Sequence, residues 1–153
     1  MRCVVLEANA VVRVRKVEDG EVLHFGGSAE KLFMRCALSP NDQSVLATDP
    51  FGVLWIFSME TGKIVIRCEP FPRAIRDFAV SRDGKMLGVI DGEGIWNLKQ
   101  FPQGIDILAV ENKELNALAI SFSLDCKEVV LHDQRGNTII WPIDLKVALQ
   151  ERD

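Results

Sequence analysis

Histidine is scarce in this chain: His24 and His132 are the whole complement. Neither has a cysteine or a second histidine at ligand spacing. A metal site needs three or four converging ligands, so no metal centre and no cofactor is expected. The four cysteines, at 3, 36, 68 and 126, make no C-x-x-C pair, and three of them sit in apolar, strand-like runs. A reduced thiol there behaves as a small hydrophobe, which argues against a disulfide framework and for cytosol or nucleus. No G-x-S-x-G elbow and no G-x-x-x-x-G-K-S/T phosphate loop occurs. Asp91-Gly92-Glu93-Gly94 is glycine-rich but precedes no helical pattern, so it lacks the N–H array that binds phosphate. No apolar run approaches the roughly 20 residues needed to cross a bilayer. The opening run Met1 to Leu6 is short for a secretory segment, and Glu7 interrupts it. A net charge of −4 and a pI near 5.2 oppose general affinity for nucleic acid or anionic membranes.

What the chain does have is a repeat. Asp49, Asp91 and Asp133 stand 42 residues apart, and so do Gly52, Gly94 and Gly136. Ser39, Ser81 and Ser123 keep the same period, as do Gly20, Gly62 and Gly104. Four residue classes holding one period mean one supersecondary unit copied along the chain. At 153 residues the copies fit a single domain, 1–153.

Each copy reads as short strands between turn signals. The second copy gives MRCALS (34–39), SVLAT (44–48), VLWIFSM (53–59) and IVIRC (64–68). Pro40-Asn41-Asp42, Asp49-Pro50-Phe51-Gly52 and Glu60-Thr61-Gly62-Lys63 fill the gaps. β-branched and aromatic residues suit pleated, half-buried positions, and Gly, Asn, Asp and Pro supply turn dihedrals. The third copy gives DFAVS (77–81), MLGVI (86–90), IWNL (95–98) and IDILAV (105–110). Its third strand is expected to be about three residues shorter than its counterpart. The fourth copy gives LAISFS (118–123), EVVLH (128–132) and TIIWPI (138–143), with no fourth strand. A tail, DLKVALQERD, follows and is expected to form a short amphipathic helix from Asp144. The first copy gives CVVLE (3–7), VVRVRKV (11–17) and EVLHF (21–25), with no first strand. The expected strand counts are therefore three, four, four and three, all antiparallel. Asp49, Asp91 and Asp133 are expected to brace their own turns by accepting backbone N–H bonds, beside the turn glycines Gly52, Gly94 and Gly136.

The blocks LSPNDQSVLATDPFGVLWIFSMETGKIV, VSRDGKMLGVIDGEGIWNL and FSLDCKEVVLHDQRGNTIIWPID resemble the WD-repeat family of β-propellers. The resemblance covers about residues 3 to 144. The family's turns are matched by Ser39-Pro40-Asn41 and Ser81-Arg82-Asp83-Gly84, and its tryptophan positions by Phe57, Trp96 and Trp141. No copy has the family's Gly-His dipeptide or a true Trp-Asp pair, so its full hydrogen-bond relay is not expected. The resemblance implies an all-β, propeller-like arc of about four blades, near 3–25, 33–68, 76–110 and 117–144, with a tail at 145–153. The first and last blades are incomplete. Three outcomes stay open. The arc closes as a four-bladed ring; a second copy or another half-propeller completes it; or the chain is a section of a longer propeller.

In a propeller the turns after each second strand, and the links between blades, line one end of the ring. Here that end would present Glu7, Asn9, Asp49, Phe51, Glu93, Gln134 and Arg135, with Lys31, Glu69, Phe71, Pro72 and Arg73 from the links. Aromatic and arginine residues anchor protein contacts. Phe51, Phe71, Arg73 and Arg135 are therefore the candidate protein-binding residues; the alternative is that both phenylalanines plug a blade edge. No nucleophile stands beside a base. The resemblance implies a non-catalytic scaffold for other proteins. The alternatives are a catalytic propeller using acidic turn residues and a subunit of a nucleic-acid-associated complex.

Overall fold

The computed structural model of the chain describes residues 2–7, 12–23, 32–68, 71–110 and 115–143, and every regular element among them is a β-strand. They fall into two compact units, Met1–Ala74 and Ile75–Asp153. In the first unit, β1 (Arg2–Leu6), β2 (Val12–Lys16) and β3 (Val22–Leu23) form one sheet. A second sheet there holds β4 (Arg35–Leu38), β5 (Ser44–Thr48), β6 (Leu54–Ser58) and β7 (Ile64–Arg67). The second unit holds a sheet of β8 (Ile75–Val80), β9 (Met86–Asp91), β10 (Trp96–Gln100) and β11 (Asp106–Val110). Its other sheet holds β12 (Ala117–Phe122), β13 (Glu128–Asp133) and β14 (Thr138–Pro142). All pairings are antiparallel and join strands adjacent in sequence, in sheets of three, four, four and three strands. His24, Phe25, Asn9, Lys31, Glu69 and the tail from Asp144 lie outside the described residues.

The register repeats with the sequence period. Val4 faces Val14, Leu46 faces Ile56, Gly88 faces Leu98 and Val130 faces Ile140, each pair 42 residues beyond the last. This corrects one expectation. The third strand of the third copy is not shortened: β10 runs Trp96–Gln100, the length and register of β6. Asn97, Lys99 and Gln100 disguised it as a loop. Asn97 and Lys99 point to the face opposite Trp96 and Leu98, and Lys99 pairs with Asp106 of β11. A second correction follows. Phe57, Lys99 and Trp141 share one repeat position, whereas Trp96 aligns with Leu54 and Thr138 on the other face.

The turns explain why the period is kept. After each first strand a serine closes a tight loop. The Ser39, Ser81 and Ser123 hydroxyls accept from the amides of Ser44, Met86 and Glu128 at 2.9, 2.9 and 3.0 Å. The same hydroxyls donate to Asn41, Asp83 and Asp125 at 2.7, 2.6 and 2.7 Å. Those acceptors also receive the amides of Gln43, Lys85 and Lys127. Ser39 and Ser81 are buried, and the loop satisfies their polar groups.

Packing within a unit follows one rule: a face of the leading sheet meets the opposite face of the next. In the first unit Val12 and Val14, with partly buried Val4 and Leu6, pack on Val45, Ala47, Trp55 and Phe57. In the second, Met86, Ile90, Trp96 and Leu98 pack on Ile120, Val129, Leu131, Ile139 and Trp141. Trp96 meets Trp141 edge-on, ring centroids 5.6 Å apart. Burying a side chain of this size contributes about 1.5–3 kcal/mol, so these faces supply most of each unit's stability.

Candidate functional site

The turn between β5 and β6 is built around one carboxylate. Asp49 Oδ1 accepts from the amides of Phe51 (2.9 Å) and Val53 (3.0 Å), and Oδ2 accepts from the Trp55 indole N–H (2.9 Å). Asp49 is buried, so its bonds are made in a low-dielectric setting where they count for more. Gly52 stands at φ +82° and is pinned from outside: an added Cβ would lie 2.5 Å from the Arg73 carbonyl and 2.7 Å from that of Phe71. The Phe71 amide donates to the Gly52 carbonyl at 2.9 Å. The link to β8 is thus laced to the turn within the first unit.

That frame separates the two candidate phenylalanines. Phe51, at the tip, is 82% exposed, whereas Phe71 is 8% exposed. Arg73 lies exposed on the link beside Gly52. Behind them the Arg67 guanidinium covers the Trp55 ring at 5.3 Å. Sequence reasoning missed Leu32 and Met34, 61% and 60% exposed, in the stretch entering β4. The Met34 amide donates to Thr48, the residue before Asp49, so this stretch reaches the same end of the sheet as Phe51. The available signal was an apolar Leu32 in the segment before the strand run and an apolar Met34 at that run's very start.

The second unit repeats the turn with different surroundings. Asp91 Oδ1 accepts from Glu93 and Ile95 at 2.9 and 3.0 Å, and Asp133 Oδ1 from Arg135 and Asn137 at 2.8 Å each. Asp133 Oδ2 takes the Asn137 side-chain amide, and that bond holds its carboxyl below the usual carboxylate range. Gly94, at φ +81°, presses on Asn116 and Ala117, whereas Gly136, also at +81°, has open space around it. Arg135 is exposed and occupies the repeat position of Phe51 in the second unit, while Phe51, Phe71 and Arg73 belong to the first. In the first copy Glu7 takes the aspartate's place. Its carboxylate accepts from Arg13 Nε at 2.8 Å and from Arg15 at 3.3 Å. The Arg13 bond leads in holding its pKa down.

Asp49, Asp91 and Asp133 thus hold their turns, and Glu7 holds two arginines of β2. His132 Nδ1 lies 3.0 Å from the Thr138 hydroxyl. Among the described residues no group of three or more His, Cys, Asp or Glu lies close enough to hold a metal ion. No helix among them is long and apolar enough to cross a membrane. The arrangement offers rigid turns carrying exposed side chains.

No family model matches the sequence, and neither does any curated protein. Among solved structures, the chain is similar to the computationally designed Ika4 protein, at 18% identity and a TM-score of 0.74. The match covers 92% of this chain and 84% of that one. At that identity the likeness is one of fold: antiparallel sheets repeated along the chain.

Proposed function

We propose that this chain is a WD-repeat-like β-propeller section acting as a non-catalytic scaffold in a multiprotein complex. Its sheets are the blades, and it works among other proteins, one of them a second copy or another half-propeller. Four free thiols support a reducing setting, cytosol or nucleus. The observation that carries the reading is Phe51. An aromatic side chain 82% exposed on a turn held by three bonds to Asp49 is a preorganised contact group. Arg73 flanks it on the link, and Arg135 repeats the position in the second unit. Phe71 supports the turn from beneath.

Phe51→Ala is the test, with Glu93→Ala, the same repeat position in the third copy, as control. A partner that co-purifies with the chain is expected to lose about 30-fold or more in affinity for Phe51→Ala, the size of a hot-spot residue. Both variants are expected to melt as the wild type does. Retained affinity, or a lowered melting temperature in Phe51→Ala, contradicts the reading.

A further inference from the structure

We infer that the first unit binds a short zwitterion, an ammonium and a carboxylate on an apolar body, in a cleft at the end of the β4–β7 sheet away from Phe51. Phe51 plays no part in it. The cleft, of about 590 Å³, lies between Arg2 at the start of β1 and two turns of the second sheet. The β4–β5 turn gives Asp42, the β6–β7 turn gives Met59 and Glu60, and β7 gives Val65. The volume falls within the roughly 300–1,000 Å³ of small-molecule sites. The whole lining belongs to the first unit.

Charges of both signs line this cleft without meeting. Among the described residues no carboxylate lies within ion-pair reach of Arg2, and no cation within that reach of Asp42 or Glu60. A ligand carrying both charges satisfies both sides at once. Its carboxylate takes the planar fork of the Arg2 guanidinium, and its ammonium takes the two acids. Met59, packed on the core of the first unit, and Val65, 55% exposed, supply an apolar wall for its body. An apolar wall with a few polar groups at fixed places is the usual make-up of a small-molecule site.

The backbone frame does not call for these charges. The Met59 amide donates to the Gln43 carbonyl at 2.9 Å and laces the two turns together. One period later the Phe101 amide donates to the Lys85 carbonyl at 2.8 Å in the same way. That third copy carries Gly84, Phe101 and Pro102 where the second has Asp42, Met59 and Glu60, and its Phe101 is buried. The same frame is therefore built without either carboxylate. Asp42 is also held at φ 54°, in the left-handed region that Gly84 occupies at φ 67° without steric cost. Strain of this kind gathers at functional sites, and a carboxylate kept against it on the wall of a cleft points to use of that carboxylate.

Titration of the full chain with the dipeptide leucyl-leucine, followed by nuclear magnetic resonance, tests this. The amide signals of Asp42, Met59 and Glu60 are expected to shift, with a dissociation constant of about 1 mM or tighter. Acetylating the dipeptide's amine, or amidating its carboxyl, is expected to weaken binding about tenfold or more in each case. Arg2→Gln is expected to weaken leucyl-leucine to the same extent and to leave the affinity for the amidated form unchanged. Asp42→Gly is expected to weaken binding while its urea midpoint rises, which separates lost binding from lost folding. No shift of these amides up to about 10 mM dipeptide overturns the inference. So does binding that Arg2→Gln and Asp42→Gly leave intact, or that survives the blocking of both charges. Either result leaves the Phe51 scaffold test standing.

Discussion

Cys126 stands at φ 59° in the serine-closed turn, the position Gly84 fills at φ 67° and Asp42 at φ 54°. Only glycine adopts this left-handed geometry without a steric penalty, and aspartate tolerates it better than most residues. Asp42→Gly is therefore expected to stabilise the fold by about 0.5 kcal/mol. Cys126→Gly gains the same relief but gives up the packing of Cys126 on the second unit's core, so its net gain is expected to be smaller. A urea titration reads both as shifts in midpoint, and a loss of stability in Asp42→Gly would contradict the turn geometry. The serine and aspartate spacing was legible in the sequence because a side-chain bond to a fixed backbone atom needs a fixed offset. The strain at Cys126 was not, since nothing in a cysteine announces a positive φ. Burial of Phe71 and exposure of Phe51 were equally hidden. Both are phenylalanines beside prolines, and their fates differ because the Gly52 carbonyl ties down the amide of Phe71.

The strand-joining turns differ in what lies against them. Gly94 and Gly136 share φ +81°, but only Gly94 has a neighbouring backbone, with Asn116 Cα 2.7 Å from an added Cβ. Gly136→Ala is expected to cost about 1–2 kcal/mol from dihedral strain alone. Gly94→Ala adds a collision with the start of β12 and is expected to cost clearly more. Thermal melts of the two variants compare them directly, and equal losses would mean that β12 does not press on the turn as described. Turns and strand order were legible because glycine, asparagine and proline mark them at every copy. The length of β10 was obscured because Asn97 and Lys99 are polar inside a strand. An alternation of apolar Trp96 and Leu98 with polar neighbours is a strand signal in its own right, and the 42-residue register would have recovered it.

At the scale of the molecule, the all-β content and four antiparallel sheets of the described residues followed from the repeat, whereas the division into two compact units did not. A period is blind to such a division, since the same spacing runs through both units. The candidate site was legible as a set of turns and only partly as a set of side chains. Exposure depends on what packs from the next sheet, and a single copy does not encode that. The central claim is that four copies of one sheet share one register. Cross-strand proton contacts in nuclear magnetic resonance test it most directly. The account predicts contacts joining Val4 to Val14, Leu46 to Ile56, Gly88 to Leu98 and Val130 to Ile140 across facing strands. Contacts that place Gly88 opposite a residue other than Leu98, with the other pairs intact, would contradict it.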